Sequence, residues 1–90
     1  MSVRVRIPAF LQECTGGREV IEGRAGTLAD LIADLDRQYP GLGDRILEHG
    51  GVRAFLHVFV NDDGVVEPKA AHTTLKDGDE VMILPAIAGG

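Results

Sequence analysis

Gly89 and Gly90, the last two residues, are the ones whose type and position could do chemistry. A C-terminal carboxylate is a poor electrophile until ATP converts it to a mixed anhydride with AMP. Glycine suits that reaction because it has no Cβ, so the backbone can enter a narrow passage. It also leaves the acyl carbon unhindered on its side-chain side. Residues 86–90 read Ala86-Ile87-Ala88-Gly89-Gly90 and follow Leu84-Pro85. Five extended residues reach roughly 17 Å, enough to enter a buried active site. Pro85 is expected to divide an ordered domain, residues 1–85, from a flexible tail, residues 86–90, in which Gly89 and Ala88 give Gly90 access.

Other reactive side chains are poorly arranged for catalysis. Cys14 is the single cysteine, so no internal disulfide can form, and no Cys or His stands near it at ligand spacing. His49, His57 and His72 show neither helical i, i+4 spacing nor a Cys/His cluster, so structural or surface roles are expected and no metal site. The formal net charge is −5, and the nine Lys and Arg residues are scattered. A nucleic-acid binder of this size would carry clustered basic residues, so nucleic acid is not an expected partner. The negative charge would favour a basic docking surface, or it simply keeps a small protein soluble. The N-terminal stretch Met1 to Pro8 has no secretory apolar run, and no stretch approaches a membrane span. A cytoplasmic protein, off the membrane and monomeric when free, is the expectation.

The elements that must carry the tail follow from periodicity. Val3, Val5 and Ile7 alternate with Ser2, Arg4 and Arg6, the pattern of a half-buried strand that Pro8 ends. Thr15-Gly16-Gly17 is a turn signal, and Glu19-Val20-Ile21-Glu22 returns, giving an opening hairpin with a long loop. Thr27 is placed to cap a helix, with Asp30 three residues on as a variant capping box. Leu28, Leu31, Ile32, Leu35 and Tyr39 make one apolar stripe before Pro40. Asp30, Asp34 and Asp36 lie away from it, on a solvated face. Residues 41–54 read as irregular, with a short helical turn through Asp44 to Leu47. Phe55 to Val60 is a strand, and Asn61-Asp62-Asp63-Gly64 turns into Val65-Val66, with Asp63-Gly64 as the favoured turn dipeptide. After Leu75 and a turn at Lys76-Asp77-Gly78-Asp79, Glu80 to Leu84 is the last strand, closed by Pro85.

This order predicts an α+β roll, with a mixed sheet of four to five strands, one main helix across it, and the final strand in the middle beside the first. That is the β-grasp arrangement. Alternation assigns Leu56, Val58, Val60, Val81, Ile83, Val3, Val5 and Ile7 to the core. The other sheet face then shows Phe55, His57, Phe59, Met82 and Leu84, too apolar for open solvent if contiguous. It is expected, with Ile87 of the tail, to bind partners. A one-residue slip would exchange the two faces.

Over nearly its whole length the chain resembles the MoaD/ThiS family of ubiquitin-like sulfur carriers. The resemblance rests on Val58-Phe59-Val60-Asn61-Asp62, on Leu75-Lys76-Asp77-Gly78-Asp79-Glu80-Val81, and on the ending Ile83 to Gly90. That ending is most similar to the CysO-type carriers of actinobacterial cysteine biosynthesis. The resemblance implies a protein cosubstrate, not an enzyme, that binds no cofactor. A ubiquitin-activating-like enzyme would use ATP to adenylate Gly90, and a sulfur donor would convert it to a thiocarboxylate. The sulfur would pass to an aminoacrylate on a pyridoxal-phosphate cysteine synthase, with a metalloprotease releasing cysteine. In the alternative, the chain would be the small subunit of molybdopterin synthase and serve its large subunit in molybdenum cofactor synthesis. A non-reactive or conjugated ubiquitin-like module is the remaining alternative.

Overall fold

The structure, a computed structural model, describes residues 2–48, 51–53, 55–65 and 70–85. In chain order the elements are β1 (Ser2–Arg6), a 3-10 helix (Ala9–Thr15), β2 (Val20–Arg24), β3 (Gly26–Thr27), α1 (Leu28–Gln38), α2 (Leu42–Ile46), β4 (Leu47–Glu48), β5 (Gly51–Val52), β6 (Leu56–Val60), β7 (Asp63–Val65), a second 3-10 helix (Ala70–His72), β8 (Thr74–Leu75) and β9 (Glu80–Pro85). The main sheet has the order β2-β1-β9-β6-β7. β9 pairs parallel with β1 and antiparallel with β6, so the last strand does lie centrally beside the first.

The alternation in β1, β6 and β9 puts Val3, Val5, Leu56, Val58, Val81 and Ile83 on the buried face, with Ile7 just beyond β1. α1 covers that face with Leu28, Leu31, Ile32 and Leu35, each at most 1% exposed. Its start is the expected capping box: Asp30 N–H donates to Thr27 Oγ1 at 3.1 Å, and Thr27 N–H donates to Asp30 Oδ2 at 3.0 Å. The Thr27 N–H bond first, and the nearby Thr27 hydroxyl second, favour the ionised Asp30 carboxyl and hold its pKa below the ordinary range. Gly23 of β2 lets the helix lie close, because a methyl group there would come within 2.5 Å of Leu31 Cδ1.

The acidic residues of α1 are backbone clamps. Asp34 accepts from Arg24 N–H at 3.1 Å and from Arg37 Nη2 at 2.8 Å, and Gln38 Nε2 donates to Glu22 O at 3.0 Å. These side chains occupy the outer edge of β2, where another strand would otherwise add. The Arg37 bond, ahead of smaller contributions from Arg24 and Gln38, lowers the Asp34 pKa. Asp36 accepts from Gly41 N–H at 3.1 Å and Gly43 N–H at 2.9 Å, closing the link to α2.

Four expectations need correction. The long opening loop contains a 3-10 helix, Ala9–Thr15, which buries Leu11. In the region expected to be irregular, Leu42 and Ile46 are both buried on α2, earlier than the expected turn, and β4 and β5 form a small hairpin. Val60 is half-buried and packs against the core's margin, because it ends β6 beside Asp63 of the edge strand β7. Finally, the hairpin turn is Asn61-Asp62, with φ of 49° and 75°. Asp63 and Gly64 already pair with Val60 and Phe59. Asn and Asp are the non-glycine residues that best tolerate a left-handed backbone, so the two-residue turn forms without Gly. β8, pairing with β3, was not anticipated.

Candidate functional site

The exposed face of the sheet is built by alternation along β6 and β9. His57 stands beside Leu84, and Phe59 beside Met82. The His57 and Phe59 rings tilt against each other at 41°, with centroids 6.5 Å apart. Phe55, just before β6, is 74% exposed, and Leu84 is 39% exposed. Phe59 and Met82 are half-buried, and the Phe59 ring covers Gly64: a methyl group on that glycine would meet Cε2 at 3.4 Å. His57, Phe59, Met82 and Leu84 are therefore on the expected face, the register has not slipped, and exposed Phe55 lies just before the strand. The rung through Phe59 and Met82 continues to Arg6 and Val20, and Val20 is 41% exposed. Val20 was missed as part of this face, although its alternation with buried Ile21 marks it.

Arg6 Nε lies 3.5 Å from Glu80 Oε1, with both side chains about half exposed, so the pair adds little stability. Beside it, β1 turns away at Pro8 while β9 runs on. The gap is a shallow groove of about 330 Å³ between Met82 and Leu84 on one side and Pro8 and Gln12 on the other. Phe10, 50% exposed, belongs to the 3-10 helix that carries this wall.

The opposite end of β9 is clamped. Asn61 N–H donates to Glu80 O at 2.8 Å, Glu80 N–H donates to Asn61 Oδ1 at 3.0 Å, and Asn61 Nδ2 donates to Asp79 Oδ1 at 2.9 Å. Lys76 N–H donates to Asp79 Oδ2 at 2.8 Å, and Ser2 N–H donates to Asp77 Oδ1 at 2.7 Å. The Lys76 bond first, and the Asn61 bond second, stabilise ionised Asp79 and lower its pKa. The Asn-Asp and Asp-Gly-Asp-Glu signatures in the sequence are thus fold-setting residues.

β9 ends at Pro85, opposite Leu56. Ile87, Ala88, Gly89 and Gly90 lie outside the described residues. Among the described residues, no three of His, Cys, Asp or Glu converge as a metal site would require, and no helix is long and apolar enough to cross a membrane. Half-buried Cys14 sits in the first 3-10 helix. What this part of the molecule offers is an apolar surface leading to the end of the central strand.

A five-stranded mixed sheet with its last strand beside its first, crossed by one main helix, defines a ubiquitin-like β-grasp protein. The chain belongs to the ThiS family, which matches residues 5–90. It is 38% identical over 93 residues to the sulfur carrier protein CysO of Mycobacterium tuberculosis, with 100% of both chains covered. Small archaeal modifier protein 3 of Haloferax volcanii is 32% identical over 93 residues, again with full coverage of both. Among solved structures, the Amycolatopsis orientalis BexX/CysO complex superposes with a TM-score of 0.90 at 35% identity, covering 98% of this chain and 99% of that one.

Proposed function

We propose that the chain is a sulfur carrier whose reactive group is the Gly90 carboxylate. The observation that carries this reading is the full-length likeness to CysO sulfur carriers. The carrier acts as a protein cosubstrate. A ubiquitin-activating-like enzyme joins the carboxylate to AMP with release of pyrophosphate, and a sulfur donor displaces AMP to leave a thiocarboxylate on Gly90. The sulfur is delivered to cysteine synthesis, through a pyridoxal-phosphate synthase and a metalloprotease that trims the product. The carrier binds no cofactor of its own. Residues 86–90 form the tail, with Gly89 and Ala88 as its slim approach. Phe55, His57, Phe59, Met82 and Leu84, with Ile87, form the docking surface that brings partners to it. Apolar side chains exposed together on one face support that role.

Intact-mass measurement of the protein from its native cells tests the chemistry. The expected species has one oxygen replaced by sulfur at Gly90, and a further cysteinyl adduct marks the cysteine route. A thiocarboxylate that never gains cysteine, in cells making molybdopterin, would move the chain to the molybdopterin branch. Deleting Gly90 should abolish adenylation, and a variant still activated at full rate would remove Gly90 from the mechanism. The likeness to an archaeal small modifier protein favours a second reading, attachment to lysines of other proteins. That activity would show as higher-mass ladders that vanish with Gly90.

A further inference from the structure

β1 stops pairing with β9 before it stops pairing with β2. On the β2 side, Ile7 N–H still donates to Glu19 O at 2.8 Å, one residue past the Arg6–Val20 pair. On the β9 side, the ladder ends at Arg6–Met82. Backbone groups of alternate residues face alternate neighbours. Arg4 N–H donates to Asp79 O at 3.1 Å, and Asn61 N–H reaches Glu80 O from the β6 side. In β1, therefore, Arg4, Arg6 and position 8 face β9. In β9, Asp79, Val81, Ile83 and position 85 face β1. Stepping two residues along both strands from the Arg4–Asp79 bond brings the nitrogen of Pro8 to the carbonyl of Ile83.

That nitrogen has no hydrogen. The backbone of Pro8 is itself extended, with φ −67° and ψ 155°, so geometry does not forbid another rung. Pro8 O is engaged by Leu11 N–H at 3.0 Å, which starts the 3-10 helix. Pro85 repeats the device on the other strand, since its nitrogen faces the vacated side and its absent hydrogen takes nothing from the β6 ladder. The groove of about 330 Å³ beside Met82 and Leu84 is the space this break leaves.

We infer that Pro8 is a positioning residue for the carrier's tail: by withholding an amide hydrogen from the Ile83 carbonyl, it ends the β1–β9 ladder and leaves Leu84 and Pro85, the root of the tail, held by β6 alone. A strand bonded on both sides is fixed in the twist of the sheet, whereas one bonded on a single side can bend toward a partner. Pro8 thereby keeps the root pliant and the groove beside it free of backbone. This inference rests on the sulfur-carrier reading above.

The test is Pro8→Ala, which adds the missing donor, compared with semisynthetic protein carrying N-methylalanine at position 8, which withholds it again. In the Pro8→Ala protein, the amide at position 8 should become protected from hydrogen exchange and show a through-bond NMR coupling to the Ile83 carbonyl. In ATP–pyrophosphate exchange with the adenylating enzyme from the same cells, KM for the carrier should rise roughly fivefold with kcat unchanged. That is the effect of one net hydrogen bond lowering the competent fraction. N-methylalanine should restore the wild-type KM. An unprotected amide, an unchanged KM, or N-methylalanine behaving like alanine would overturn the inference. Failure of the sulfur-carrier reading is separate, because the wild-type protein would then support no exchange at all.

Discussion

At the start of β9, Asp79 and Glu80 are bonded to β1, to the turn at Asn61 and to the backbone of Lys76, whereas at its end Leu84 and Pro85 have only β6 beside them. One strand is thus pinned where it enters the sheet and held from one side where it leaves. The side chains differ in the same way. The pinned end is rich in carboxylates and amides that satisfy backbone groups, while the other end presents exposed Leu84 and Phe55. A carrier needs both properties at once, a fixed platform and an accessible terminus. The fold puts the fixed platform at one end of its central strand and exposed Leu84, next to Pro85, at the other.

The comparison breaks most visibly at the pinned end. Asn61→Ala removes two side-chain hydrogen bonds, to Asp79 and from Glu80, and puts alanine at a φ of 49°. At about 1 kcal/mol per bond, plus a similar penalty for a left-handed non-glycine residue, the loss is about 2–3 kcal/mol. Urea unfolding would show it as a lower midpoint at an unchanged slope. Partner affinity measured on the folded protein should not change. A variant as stable as wild type would mean the clamp is ornamental and β9 is fixed by its ladders alone.

At the other end the effects should reverse. Leu84→Glu puts a charge on the exposed apolar face beside His57. It should weaken binding to the adenylating enzyme about tenfold, the equivalent of about 1.4 kcal/mol, with the unfolding midpoint held. Titration calorimetry and a thermal melt on the same sample decide it. Phe59 is the less clean choice, because its ring also covers Gly64 and its replacement would disturb the hairpin. If Leu84→Glu melts early and binds normally, the face belongs to the fold and not to partners.

Much of this was legible in the chain, for local reasons. The capping box of α1 needs only Thr27 and Asp30, and the core faces of β1, β6 and β9 need only alternation. The central position of the last strand followed from the order of elements. What escaped depends on distant partners. The Asp63-Gly64 dipeptide advertises a turn, yet the turn moved to Asn61-Asp62 because Asn61 is held by Asp79 and Glu80, eighteen residues or more away. The buried pair Leu42 and Ile46 marks a helix only if a single turn is counted. Pro8 reads in sequence as the end of a strand. Which neighbour loses its hydrogen bond appears only once the register with β9 is known.

The smallest expected effect concerns acid. Asp79 is ionised while it accepts from Lys76 N–H and Asn61 Nδ2, and its folded-state pKa lies below the unfolded value. A carboxyl depressed in this way stabilises the fold above the unfolded pKa, and the benefit fades as pH falls through the folded pKa. Wild-type stability should therefore decline below about pH 4. Asp30 and Asp34, depressed for the same kind of reason, contribute to the decline. Asp79→Asn should be somewhat less stable at pH 7, because an amide can accept the Lys76 bond only by turning a donor toward Asn61 or by losing one of the two contacts. The gap between the variant's melting temperature and that of wild type should then narrow as pH falls, since acid removes from wild type what the substitution has already removed. A gap of constant size from pH 7 to strong acid would assign the role of Asp79 to shape and not to charge. The clamp at the start of β9 would then hold equally well with a neutral side chain.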